Sequence, residues 1–222
     1  MKLIEDALKR GATSLSEYES KLLLAEYGIP ITREGIVSTA EDAVKKAAEI
    51  GYPVVLKGSG EAISHKTEMN LISLNLKDEE DVRQAFKELT TNPKAEVKEV
   101  LVQQMIKGDR ELMVGLTRDS QFGPCVMYGL GGIFTEILED VAFRVAPLTR
   151  WDAMDMMNDI KGKKILEAFR GKPAVDREAL ADILLAVGQI GLDHDKVHEI
   201  DINPLKLIDG KPVAVDALVV FE

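Results

Sequence analysis

Residues 198–222, HEIDINPLKLIDGKPVAVDALVVFE, decide the fold of this chain. Glu199, Asp201 and Asn203 alternate with Ile200 and Ile202, so the three polar residues share one face of a strand. Asp209 followed by Gly210 is the strongest short-range signal for a two-residue hairpin loop. With that loop, Asn203 falls directly across from Asp216, with Cβ atoms about 4.5–5.5 Å apart. Two hard oxygen donors so placed, with carboxylates two and four residues back, suit a magnesium ion that keeps several waters and takes its other ligands from substrate phosphates. The alternative is a solvated polar face on an edge hairpin.

The 222 residues suffice for one large domain or two small lobes with cores of their own. Lys and Arg number 28 against 38 Asp and Glu, a net charge of −10, and the longest basic cluster is KGKK at 161–164. A nucleic-acid partner is not expected, because binding one rests on a basic face that neutralises phosphates, while a local phosphate site stays open. The single cysteine, Cys125, cannot form an internal disulfide, and the N-terminus lacks the charged and apolar regions of a signal peptide, so a cytoplasmic setting is expected. The longest uncharged stretch, Ser120 to Thr135, is broken by Gly and Pro and falls short of the ~20 apolar residues of a membrane span. His194 and His198 lack metal-ligand spacing and read as structural.

Ser16 and Glu19 make a capping box that opens a helix with Leu22, Leu23 and Leu24 in its buried stripe, stopped by Gly28 and Pro30. Ser38 and Glu41 cap a second helix, through Ile50. A strand at 53–57, another from Asn70 to Leu76, a helix from Asp78 to Leu89 and a strand from Val97 to Met105 complete a small α+β lobe. After the polar turn 107–110 come strands Glu111–Thr117, Pro124–Tyr128, Ile133–Leu138 and Val141–Ala146, helices Thr149 to about Phe169 and Asp176–Ile190, and the closing hairpin. The domains expected are therefore 1–105, an N-terminal helix plus the small lobe, and 106–222, a larger sheet-and-helix lobe, with a cleft between them.

Lys57 ends an apolar strand and is followed by Gly58, Ser59 and Gly60 and then by EAISHKT. Gly60 and Lys66-Thr67 fit a P-loop, but His65 replaces its second glycine and the residues after it alternate like a strand, where a P-loop opens a helix. The better reading is strand, glycine loop, strand, with Lys57 as a point charge for nucleotide phosphates; the alternative is an ordinary strand-end lysine. His65, among polar loop neighbours, does not read as a core histidine; taken alone, the ordinary reading of such a loop histidine is a plain surface residue. Glu136, Glu139, Asp140 and Arg144 follow the glycine cluster 129–132, and an arginine near phosphates can hold charge that develops during phosphoryl transfer.

Together, VVLKGSGEAISHKTE (54–68), VLVQQMIKGDRELMVG (100–115), YGLGGIFTEILEDVAFRVAPL (128–148) and HEIDINPLKLIDGKPVAVDA (198–217) resemble the ATP-grasp β subunits of ADP-forming acyl-CoA synthetases. The likeness runs over essentially the whole chain. It implies the ATP-grasp fold, α+β with two lobes and a nucleotide cleft, and Mg2+ with ATP or ADP as substrate nucleotide. It implies that Lys57, with Gly58, Ser59 and Gly60, meets the phosphates; that Gln103, Gln104, Met105 and Ile106 form a hinge strand against adenine; and that Glu111 reaches the ribose. It implies Asn203 and Asp216 as metal ligands, His65 as a phosphoryl carrier, and Glu199 as a residue that orients its loop.

The reaction so implied is acyl-CoA + phosphate + ADP to acid + CoA + ATP. A CoA-binding α subunit would make the acyl phosphate, and an α2β2 heterotetramer is the expected assembly. No dinucleotide-type CoA domain can be found in these 222 residues, so the chain by itself is not expected to turn over acyl-CoA. Two alternatives are a stand-alone ATP-grasp carboxylate ligase, in which His65 would be incidental, and a nucleotide-binding regulatory subunit without chemistry.

Overall fold

The computed structural model describes residues 2–59, 71–108, 110–132 and 140–222. In chain order the described elements are α1 (Lys2–Lys9), α2 (Glu17–Glu26), β1 (Glu34–Val37), α3 (Ala40–Ile50), β2 (Val54–Ser59), β3 (Ile72–Leu76), α4 (Glu79–Thr90), β4 (Glu99–Gln104), β5 (Glu111–Asp119), β6 (Gly123–Leu130), β7 (Val141–Val145), α5 (Arg150–Asp159), a 3-10 turn at Lys163–Leu166, α6 (Arg177–Asp193), β8 (Val197–Ile208), β9 (Lys211–Ala214) and β10 (Leu218–Phe221). The chain divides into two units, one of Met1–Ile31 with Ile106–Glu222 and the other of Thr32–Met105.

In the smaller unit β1, β4, β2 and β3 form an antiparallel sheet in that order. Its core joins Val54, Leu56, Val100 and Val102 of the sheet to Ala43 and Ala47 of α3 and Val82, Phe86 and Leu89 of α4. Cross-strand partners lie on the same side of a sheet, so Val55, Lys57, Leu101, Gln103 and Glu34 occupy the face opposite these helices.

In the larger unit the order is β10, β8, β5, β6, β7, with β9 also on β8. Ile200, Leu116 and Val126 form one cross-strand row and are buried. Helix α6 packs directly on that row: a Cβ added to Gly188 would lie 3.3 Å from Val126 Cγ2, and one added to Gly191 would run into Leu116. The capping box of α2 is present, with Ser16 Oγ accepting from Glu19 N–H and Glu19 Oε2 accepting from Ser16 N–H. Leu23 and Leu24 are fully buried beside Val219 and Phe221.

Three expectations are corrected. Residues 1–31 belong to the larger unit and not the smaller, because α1 and α2 bury Ile4, Leu23 and Leu24 in its core. The cap of α3 is Thr39, whose hydroxyl accepts from Asp42 N–H, one residue later than the Ser38 and Glu41 pair. The helix expected over 149–169 stops at Asp159, where Asp140 accepts the N–H groups of Lys161 and Gly162 at 2.7 and 2.6 Å and turns the chain. The strand β1 had no expectation at all. The strand expected at 133–138 lies outside the described residues.

Candidate functional site

The hairpin register is the one the Asp209-Gly210 loop dictates: Leu205 pairs Ala214 and Ile208 pairs Lys211. β8 is twelve residues long and changes partner midway, with Asp201 pairing Leu218 and Ile200 pairing Val219 of β10. The same register runs on both sides of this change, and Val215 N–H donates to Pro204 O at 3.1 Å within it. Carried through residues 202–204 and 215–217, which lie between the paired stretches, this register would place Asn203 opposite Asp216 where β9 hands over to β10.

Acidic groups crowd this junction. Asp201 is pushed up to about 6, by burial first and then by the negative charges of Glu199 and Asp216. Its Oδ1 is buried without a hydrogen-bond partner. Burial disfavours the charged form, and like charges within a few ångströms do so further. A carboxylate cluster in that condition fits a divalent cation, and the amide and carboxylate at 203 and 216 are the hard donors magnesium takes. Among the described residues no group of three or more His, Cys, Asp or Glu side chains is arranged to hold a metal. A site completed by water and phosphate oxygens needs no such cage.

The glycine turn after β6 closes the same corner. Gly131 N–H donates to Glu111 O at 2.8 Å, and Gly132 N–H donates to Asn203 Oδ1 at 3.3 Å. A Cβ on Gly131 would lie 2.7 Å from Leu112 O, and one on Gly132, whose φ is +63°, would collide with Glu111 Oε2. Only glycine allows this approach. The Glu111 carboxylate lies 3.0 Å from Lys206 Nζ, which fixes it beside the turn.

In the smaller unit, Lys57 is 5% exposed on the helix-free face of β2. Ser59 shares its side, two residues on. Gly58 does not: its Cβ position points at Val97 and Leu71, and its N–H is already given to Leu71 O at 2.9 Å, so it serves packing. Gln103 is buried with its amide donating to Thr32 Oγ1 at 2.8 Å, and Thr32 donates to Glu34 Oε2 at 2.8 Å. Gln104 Oε1 accepts from Arg33 Nε at 3.3 Å. Met105 is half-buried and Ile106 buried, and the two units divide between them.

Arg144 is not brought to the acidic junction. It pairs Val126 across the sheet, in the row of Leu116 and Ile200, so it projects to the helix-covered face. Glu199, opposite Thr117 and thus level with Cys125 and Val145, projects to the other. On the helix-covered face the Arg144 guanidinium donates to Asp159 at 2.6 Å and Asp155 at 2.7 Å, hydrogen bonds that raise its pKa and fasten β7 to α5. That is a structural occupation, and the expected charge-stabilising role is withdrawn. His65 and Gly60, with Glu136 and Glu139, lie outside the described residues. Sequence reasoning missed Thr32, Glu34 and the buried Lys21 and Glu17 of α2. Only the Glu17–Lys21 spacing, an i,i+4 pair, was visible beforehand.

The family model of the ATP-grasp domain matches residues 6–221. The chain belongs to the ATP-grasp family. Within that family it is similar to the β subunit of an ADP-forming acetate–CoA ligase I from Pyrococcus furiosus, 44% identical over 212 residues that cover 93% of this chain and 91% of the relative. A chain of the dinucleotide-forming acetyl-coenzyme A synthetase 1 of Candidatus Korarchaeum cryptofilum, solved in complex with coenzyme A, Ca-AMPCP and HgCl+, superposes with a TM-score of 0.95 at 41% identity, covering 100% of this chain and 99% of that one. The same synthetase with coenzyme A and Mg-AMPPCP, its phosphohistidine segment pointing towards the nucleotide binding site, gives a TM-score of 0.89 at 41% identity, covering 100% and 99% of the two chains. Among the described residues no helix of this ATP-grasp chain is long and apolar enough to cross a membrane.

Proposed function

We propose that this chain is the nucleotide-binding, phosphohistidine-carrying β subunit of an ADP-forming acid–CoA ligase. The observation that carries the reading is the 44% identity to a β subunit over nearly the full length of both chains. The opposition of Asn203 and Asp216 beside Gly132 supports it from the chain's own geometry.

In this reading the companion α subunit binds CoA, forms the acyl phosphate and takes the phosphoryl group on a histidine of its own, within an α2β2 assembly in the cytoplasm. A neutral nitrogen of the His65 imidazole then attacks phosphorus, breaking the donor's N–P bond and forming a new one. A terminal oxygen of ADP next displaces the imidazole, which leaves as it arrived and yields ATP. Imidazole suits both halves because its nitrogen is nucleophilic near pH 7 and a good leaving group once phosphorylated. Lys57, with Ser59 beside it, supplies positive charge for the nucleotide phosphates, and Glu111, held by Lys206, orients the ribose. Bound magnesium would neutralise charge on the phosphate oxygens during transfer. Asn203 and Asp216 are the residues to hold it, with the Gly132 N–H fixing the amide of Asn203.

The test is labelling from the nucleotide side. With γ-labelled ATP and Mg2+ the chain should acquire an acid-labile, alkali-stable label, and His65→Asn should abolish it while nucleotide affinity stays within a few-fold, since a residue acting only in the chemical step does not set ground-state binding. Undiminished labelling of that variant would remove His65 from the pathway.

A further inference from the structure

Lys21 is wholly buried in α2, its ammonium 2.9 Å from Glu17 Oε1. The same ammonium donates to the carbonyl oxygen of Val215 at 3.2 Å, the residue immediately before Asp216. Neighbouring groups hold the rest of this segment: Val219 N–H donates to Ser20 Oγ at 3.2 Å, Leu15 N–H to Val219 O at 2.9 Å, and Ala214 N–H to Pro30 O at 2.8 Å. Residues 214–219 are thus tied along their length to residues 15–30. A buried ion pair is a poor way to gain stability alone, since desolvating two charges costs as much as their attraction returns. What it supplies is direction: a charge-assisted hydrogen bond fixes the plane of the peptide that links Val215 to Asp216.

We propose that Lys21, anchored by Glu17, is a positioning residue that sets the Asp216 carboxylate opposite Asn203 for metal-bound nucleotide. The proposal rests on the reading of Asn203 and Asp216 as metal ligands. Through its hydrogen bond to Val215 O, Lys21 acts on the 215–216 peptide, as groups behind metal ligands do when they orient them. This also gives α2 a task in the larger unit beyond covering its core.

The test uses the full chain and reads ADP affinity by calorimetry in EDTA and at saturating Mg2+. Glu17→Gln combined with Lys21→Met removes both charges of the pair together, which costs less than removing one of them. This double variant should bind ADP normally in EDTA but lose about 10- to 100-fold of its affinity in Mg2+, the range typical of groups that orient metal ligands. The affinity for Mn2+, read by its paramagnetic resonance in the presence of ADP, should fall in parallel. Glu17→Gln alone, which keeps the ammonium and an acceptor for it, should retain most of the Mg2+ effect. Ser20→Ala, which removes a neutral clip from the same helix, should leave it unchanged. Should the double variant unfold, Glu17→Gln combined with Lys21→Gln, which removes both charges and keeps polar side chains of similar size, is read in the same way. A variant that melts earlier yet keeps full Mg2+ dependence would reduce the pair to a structural one and overturn the proposal. Asp216→Asn separates the two readings: unchanged Mg2+ dependence there would sink the metal assignment, and the positioning role with it. A lost dependence in Asp216→Asn beside an intact one in the double variant would sink the positioning role alone.

Discussion

The backbone N–H of Gly132 donates to Asn203 Oδ1 at 3.3 Å, so the turn that ends β6 fixes one of the two candidate metal donors of the closing hairpin. The contact needs a backbone with φ of +63° and no Cβ, since one would collide with Glu111.

Gly132→Ala should therefore cost about 1–2 kcal/mol of folding stability from the left-handed conformation alone. The Glu111 carboxylate must also move, loosening its pair with Lys206. Chemical denaturation should show the loss, and calorimetry a weaker affinity for Mg·ADP. Parent-like values in both would mean that the turn has another conformation in solution.

Arg144 gives the opposite pattern. Arg144→Met removes hydrogen bonds to two carboxylates on α5 and should cost about 1–2 kcal/mol of stability. Because the side chain lies on the helix-covered face, turnover below the melting range should stay within about threefold. A drop of two orders of magnitude in kcat would restore the phosphoryl-transfer role.

Asp201 makes stability depend on pH. Its carboxyl ordinarily titrates near 3.8 and is pushed up to about 6 in the fold. Between those values the folded chain binds more protons than the unfolded one, so stability falls as pH rises from about 4 to about 6. The contribution is complete below that window and absent above it. Asp201→Asn has no such titration, so its stability relative to the parent should grow across the window by about 1–3 kcal/mol. Urea unfolding at a series of pH values checks this, and a constant difference would contradict it.

The hairpin was legible because a two-residue Asp-Gly loop leaves no freedom of register, and every pairing of β8 with β9 and the first of β10 keeps it. The glycine cluster was visible too, but its contact with Asn203 is not, because residues 132 and 203 meet only once β6 and β8 flank β5 in one sheet. Arg144 and Glu199 each stood out as charged residues near likely ligand segments. Which face each occupies is a parity fixed by pairing partners, and no single strand carries it. Lys21 was hidden for a related reason: between charged and leucine neighbours it reads as a solvated lysine, and only the 215–219 segment packed against α2 buries it. The break after Asp159 depends on Asp140, nineteen residues earlier, capping the N–H groups of Lys161 and Gly162.

Reconstitution tests the central claim most directly. The purified chain is combined with the CoA-binding subunit proposed for it and given acetyl-CoA, phosphate, ADP and Mg2+, and ATP is measured against each component alone. ATP should form only when both subunits are present, in stoichiometry with the CoA released, and His65→Asn in this chain should stop it. Formation of ATP by this chain alone, or by the pair carrying His65→Asn, would contradict the assignment.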